Sequence, residues 1–85
     1  MKQLQWCVYL LQCADDSYYC GSTNDLDKRI KTHNVGKGAK YTRSRLPVQL
    51  MYSRICADQS DALKQEIAIK KLTHTQKKEL ANHQK

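Results

Sequence analysis

Eighty-five residues admit one domain with a modest core, because domains run to about 100–150 residues and shorter chains bury a smaller share of their surface. A composition of 40% hydrophobic and 27% charged residues, with three Gly and one Pro, excludes a disordered or low-complexity chain, and nothing approaches the run of about 18 apolar residues that a membrane helix requires. Fifteen Lys and Arg against eight Asp and Glu leave a formal charge of +7. That imbalance favours a polyanionic partner, since cations that neutralise phosphates release counterions, with a solvated basic surface as the alternative.

The N-terminal MKQLQWCVYLLQC has one early Lys, and polar residues follow too soon for a secretory signal, so the protein is expected to be soluble and cytoplasmic. From Trp6 to Cys13 the chain is almost continuously apolar, Asp15-Asp16-Ser17 is a turn signal, and SYYCGST supplies a second run. These predict a hairpin of strands over about 5–13 and 17–22, and the lack of clean alternation predicts a central strand or a sheet covered on both faces. Asn24 or Asp25 is placed to cap a helix over 25–34, acidic early and basic late as the macrodipole prefers. At about 100° per residue, Leu26, Arg29, Ile30 and His33 share one face of it.

The run VGKGAKYTRSRLP reads as a loop with a short helical turn near 38–44, and PVQLMYSRIC as a third strand over about 47–56. Ser60 is expected to open a helix reaching 71, and Thr73 or Thr75 to cap a last one over 74–82. Within the helix after Ser60, Glu66 falls inside an apolar arc formed by Ala62, Leu63, Ile67 and Ile69. A carboxylate on a buried side needs a cation, either a metal or the ammonium of Lys70 four residues on.

Cys7, Cys13, Cys20 and Cys56 show no C-x-x-C spacing and lie in strand-like runs, which makes them reduced, buried hydrophobes rather than zinc ligands or disulfide partners. Tyr18 and Tyr52 read as packing residues, and His74 and His83 as surface helix residues.

Cys7-Val8-Tyr9, then Tyr19-Cys20-Gly21 ten residues on from tyrosine to tyrosine, Arg29 eight residues after Gly21, His33 four further, and finally Glu66 form an ordered set. Together with GKGAKYTR and IKKLTHTQKKEL, it resembles the GIY-YIG nuclease family, and in particular its small stand-alone bacterial members, over nearly the whole chain. The glycine and isoleucine of the signature are replaced by Cys7 and Cys20, and Ser22 stands where DNA-repair members have a lysine, a loss for which Lys28 or Lys40 could substitute.

The resemblance implies an α/β fold, a three-stranded mainly antiparallel sheet flanked by helices. It also implies a divalent-metal-dependent endonuclease activity on DNA, and because 85 residues leave no separate recognition module, that activity is expected to select structure rather than sequence. Mg²⁺ or Mn²⁺ would be held by Glu66, with no small-molecule cofactor, and the protein would act as a monomer in a setting such as DNA repair. Arg29 would clamp the scissile phosphate, Tyr9 and Tyr19 would hold the water or accept its proton, and His33 would assist. Lys28, Lys37, Lys40, Tyr41, Arg43 and Arg45 would contact the nucleic acid, Tyr41 by stacking on a base, and Gly21 would allow close approach. Two other functions fit the residues: a nucleic-acid-binding module with a vestigial site, and a protein-interaction adaptor.

Overall fold

A computed structural model describes residues 4–82 of the protein. The first apolar run forms β1 (Cys7–Gln12), the second forms β2 (Tyr18–Thr23), and the run after the proline forms β3 (Gln49–Ile55). All pairings are antiparallel and the order is β2-β1-β3, so the most apolar strand takes the centre. That position accounts for its missing alternation. With a helical layer on each face, Val8, Tyr9, Leu10 and Leu11 are all buried to within 1% of full exclusion. Each contributes roughly 1.5–3 kcal/mol of apolar burial.

Residues opposite one another across a ladder project to the same face. The register Cys7–Thr23, Tyr9–Gly21 and Leu11–Tyr19 therefore defines one face, and Val8–Ser22 with Leu10–Cys20 the other. A bulge between Leu10 and Leu11 resets the pairing with β3, where Leu10 meets Tyr52 and Leu11 meets Leu50. The hairpin turn places Asp16 in the left-handed region at φ 67°.

The first face is covered by α1 (Leu26–Asn34) and the short α2 (Lys40–Arg43); Leu26 and Ile30 pack against Tyr9, Leu11, Cys13 and Val48. Asp25 caps α1 by accepting from the Lys28 N–H at 3.4 Å. Asn34 ties the end of α1 to the start of β3, accepting from Val48 N–H at 2.8 Å and donating to the Val48 carbonyl at 3.3 Å.

The second face carries α3 (Gln59–Lys70) and α4 (His74–Asn82), whose Ala62, Ile69 and Ala81 pack with Val8, Leu10, Cys20 and Cys56; Tyr18 and Tyr52 join the same cluster. Thr73 and Gln76 form a reciprocal capping box at the start of α4, with bonds of 3.1 and 2.9 Å. The four cysteines are buried and unpaired. No helix among the described residues is long and apolar enough to cross a membrane.

Two expectations are corrected. The helix expected to open at Ser60 begins at Gln59 and is capped by Asp58, whose carboxylate accepts from Asp61 N–H at 2.8 Å. Leu63 and Ile67, placed in the buried arc, are 45% and 56% exposed. A sheet of three strands offers α3 only a narrow contact stripe, which Ala62 and Ile69 occupy with Glu66 between them, leaving Leu63 and Ile67 to the side. His83 lies outside the described residues.

Urea unfolding should separate the two classes of leucine. Leu10→Ala, at the centre of the sheet, is expected to lose about 2–5 kcal/mol, whereas Leu63→Ala should stay within about 0.5 kcal/mol of wild type. Equal losses would return Leu63 to the core.

Candidate active site

Tyr9 sits at the middle of β1 with 1% of its surface exposed, and its ring lies over Gly21 of the neighbouring strand. A Cβ at Gly21 would fall 2.6 Å from Tyr9 Cζ and closer still to the hydroxyl, so only glycine leaves room for the phenol there. The hydroxyl meets His33 Nε2 at 3.0 Å and receives Arg29 Nε–H at 3.4 Å. Both partners come from the α1 face that also carries Leu26 and Ile30, so the apolar residues that dock the helix also deliver the guanidinium and the imidazole. His33 is fully buried.

The protonation pattern follows from the bonds. Thr42, also fully buried, donates its one hydroxyl hydrogen to the Ala39 carbonyl at 3.0 Å and can therefore only accept from His33 Nδ1, 2.9 Å away. His33 thus carries its proton on Nδ1 and presents a bare Nε2 to Tyr9, which donates to it. Gly38 makes room for the imidazole as Gly21 does for the phenol, since a Cβ there would lie 2.7 Å from His33 Cγ.

Burial pushes the Tyr9 phenol above its ordinary range, opposed by the bond and charge of Arg29 and reinforced by Tyr19 and Glu66. Burial, with Arg29 adding to it, holds the His33 imidazole below its usual value. The Tyr9 hydroxyl raises Arg29 further. The site therefore rests as neutral phenol, neutral imidazole and cationic guanidinium.

Tyr19 sets its ring edge-on to His33, with centroids 5.4 Å apart, and stacks on Tyr41 at 6.1 Å and 25°. The Arg45 guanidinium lies 4.0 Å over the Tyr41 ring, with Nε bonded to Asp15 at 3.0 Å and Nη1 to the Tyr41 carbonyl at 2.7 Å. Arg45 and Tyr41 thus clasp the hairpin turn to α2. Lys28, Lys37, Lys40 and Arg43 stay exposed. Lys28 and Arg29 line a cavity of about 260 Å³ at the start of α1 with Thr23, Asn24, Asp25 and Thr32.

Residues 5–79 match the family model described as the GIY-YIG catalytic domain. The chain belongs to the GIY-YIG family. Among its relatives, a UPF0213 protein of Bacillus cereus is 49% identical over 79 residues, which span 93% of this chain and 82% of that protein. The UPF0213 protein YazA of Bacillus subtilis is 51% identical over 72 residues, spanning 85% and 72%. Two solution NMR structures share the fold at 40% identity. The UPF0213 protein of Bacillus halodurans has a TM-score of 0.58 over 93% of this chain and 84% of its own, and a protein of Enterococcus faecalis has 0.59 over 92% and 82%.

In this GIY-YIG domain Glu66 comes from α3, on the opposite face from α1. Its side chain is only 17% exposed, and its Oε2 lies 2.6 Å from Lys70 Nζ. The Glu66–Lys70 pair foreseen as the plain alternative to a metal therefore forms. The Glu66 charge helps push the Cys20 thiol, first raised by burial, up to about 12, and adds a small upward push to Tyr9. The Cys20 thiol in turn points to the Glu66 carbonyl at 3.9 Å.

Among the described residues no three His, Cys, Asp or Glu converge as a metal cage. A lone, mostly buried carboxylate does fit Mg²⁺ or Mn²⁺, hard ions that take one or two carboxylates and complete their shell with water and phosphate oxygens.

Thr42 and Gly38 were not singled out in the sequence, where GKGAKYTR registers chiefly as a basic loop. Their signal is a second glycine and a lone threonine, four residues apart, within that run.

Gly21→Ala is expected to destabilise the protein by about 1–3 kcal/mol through overpacking, and ring NMR signals of Tyr9 and His33 should move together. A variant with wild-type melting and unmoved signals would show that the Tyr9 ring has room to spare. His33 supplies a second check. The unfolded chain protonates this imidazole near pH ~6.5 and the folded chain only at lower pH, so the unfolded state binds the extra proton in the interval between. Stability is thus full above about pH 6.5 and declines as pH falls toward the folded value. Urea midpoints compared at about pH 7 and about pH 5 should drop further in wild type than in His33→Gln; equal drops would count against a buried neutral His33.

Proposed function

We propose that this domain is a divalent-metal-dependent endonuclease that hydrolyses phosphodiester bonds in DNA, selecting structure rather than sequence. Membership of the GIY-YIG family supports nuclease chemistry and DNA as substrate. The observation that carries the reading is the chain Arg29–Tyr9–His33–Thr42, which gives a buried hydroxyl a bare imidazole nitrogen to receive its proton.

Hydrolysis requires a proton to leave the attacking water and negative charge to be held on the phosphoryl oxygens. Arg29 keeps its planar donors for the phosphate while its Nε anchors Tyr9. Tyr9 takes the proton of the water as its own proton passes to His33 Nε2. Transfer at both ends of one hydroxyl spares the site a free phenolate, which burial disfavours. The depressed basicity of His33 then returns the proton readily once product leaves. Tyr19, edge-on to His33, limits where the water can stand. Glu66 would hold the divalent ion, which supplies Lewis-acid stabilisation of the phosphoryl and leaving oxygens when bound.

Lys28, Lys37, Lys40 and Arg43 would contact the DNA backbone, and phosphate contacts fix position without reading bases. A nucleic-acid-binding module with a vestigial site is favoured by one specific observation, the closed Glu66–Lys70 pair.

Titration of Mg²⁺ and Mn²⁺ against nicked, branched and duplex DNA distinguishes the two. Cleavage is expected to vanish with chelator and to fall about 10²–10³-fold in Arg29→Ala and Glu66→Gln proteins that keep their circular dichroism. Cleavage that survives chelation would remove the metal from the mechanism. Salt-dependent binding without cleavage of any substrate would establish the binding module instead.

A further inference from the structure

The Glu66–Lys70 pair is more than a helix-surface ion pair. It is built in the favourable order for residues four apart on one helix, glutamate first, with 2.6 Å between Oε2 and Nζ. Its two ends differ in environment: the Glu66 side chain is 17% exposed and the Lys70 side chain 50%. The carboxylate is therefore the fixed member, in need of a cation, and the ammonium is the mobile member on a flexible tether. The Glu66 charge also bears on Tyr9 and Cys20, adding to the burial that keeps each of them protonated. Helix α3 packs on β2, with the Cys20 thiol 3.9 Å from the Glu66 carbonyl, so the pair belongs to a helix seated over the strand that carries Tyr19.

We propose that Lys70 is a built-in occupant of the cation position at Glu66, a positioning residue that a divalent ion must displace before the site is loaded. The inference rests on the reading of Glu66 as the metal-holding carboxylate. An ammonium within contact of the same oxygen repels an incoming dication and competes for its ligand. Once displaced, it remains tethered to α3 over β2, where an incoming phosphate of DNA would receive it. Phosphate thus draws Lys70 off Glu66 and metal binding is strengthened by DNA, a coupling that is reciprocal by necessity. The tether explains how a site with one carboxylate avoids both an unpaired buried charge and premature loading.

Mn²⁺ binding to the DNA-free protein, followed by electron paramagnetic resonance, tests this without any turnover. Lys70→Met is expected to bind Mn²⁺ about tenfold more tightly than wild type, and Lys70→Arg, which keeps a cation in place, to remain near wild type. A duplex oligonucleotide should tighten Mn²⁺ binding in wild type more than in Lys70→Met. Because Lys70 is half exposed, the variant is expected to fold, which circular dichroism checks. Unchanged or weaker binding in Lys70→Met, with binding still abolished by Glu66→Gln, would overturn the role of Lys70 and leave the metal at Glu66 standing. Mn²⁺ binding indifferent to Glu66→Gln would bring down both.

Discussion

A hydroxyl, an imidazole and a second hydroxyl lie in line beneath α1 and α2, each almost wholly removed from water. None can be left without a partner, because a buried polar group that loses its bond sacrifices about 1–3 kcal/mol of desolvation with nothing in return. Tyr9, His33 and Thr42 satisfy one another in sequence and terminate on the Ala39 carbonyl, and among the described residues no buried side-chain nitrogen or oxygen lacks a bond. The two glycines are consequences of this line rather than independent features. One clears the path of the phenol and the other that of the imidazole.

The sheet explains why residues so far apart in sequence reach one another. With β1 in the middle, its side chains are presented to both helical layers, and Tyr9 faces the layer built from α1 and α2. The narrowness of the sheet matters equally. Among the described residues β2 has no further strand beside it, so α3 reaches the edge of the sheet, where the Cys20 thiol meets the Glu66 carbonyl at 3.9 Å.

Much of this was legible in the residues. The continuous apolar run of β1 announced a strand covered on both sides, and the sharing of one face by Leu26, Arg29, Ile30 and His33 announced a helix that docks and delivers chemistry at once. Both statements depend on periodicity, which is local. What periodicity could not supply was competition between neighbours in space. Leu63 and Ile67 satisfy a helical wheel as well as Ala62 does, and only the width of the sheet decides that they stay outside. The orientation of Thr42 toward His33 depends on how α2 folds back, and the engagement of Arg45 with Asp15 depends on a turn thirty residues upstream. Tyr41 was expected to offer a stacking surface to a base; its ring already lies against Tyr19 and the Arg45 guanidinium.

The order of strands bears on how the chain comes together. The central strand finds its first neighbour immediately, across a short turn, but its second neighbour only after α1 and α2 have been laid down. During synthesis on a ribosome, the Tyr9 strand therefore waits half-paired, with its other edge open, until β3 emerges. The two arms of Asn34 that grip Val48 join the last turn of α1 to the residue immediately ahead of that late strand. Closure of the sheet and seating of the His33 helix thereby become a single event, and a chain truncated before β3 would hold every residue of the relay without being able to align them.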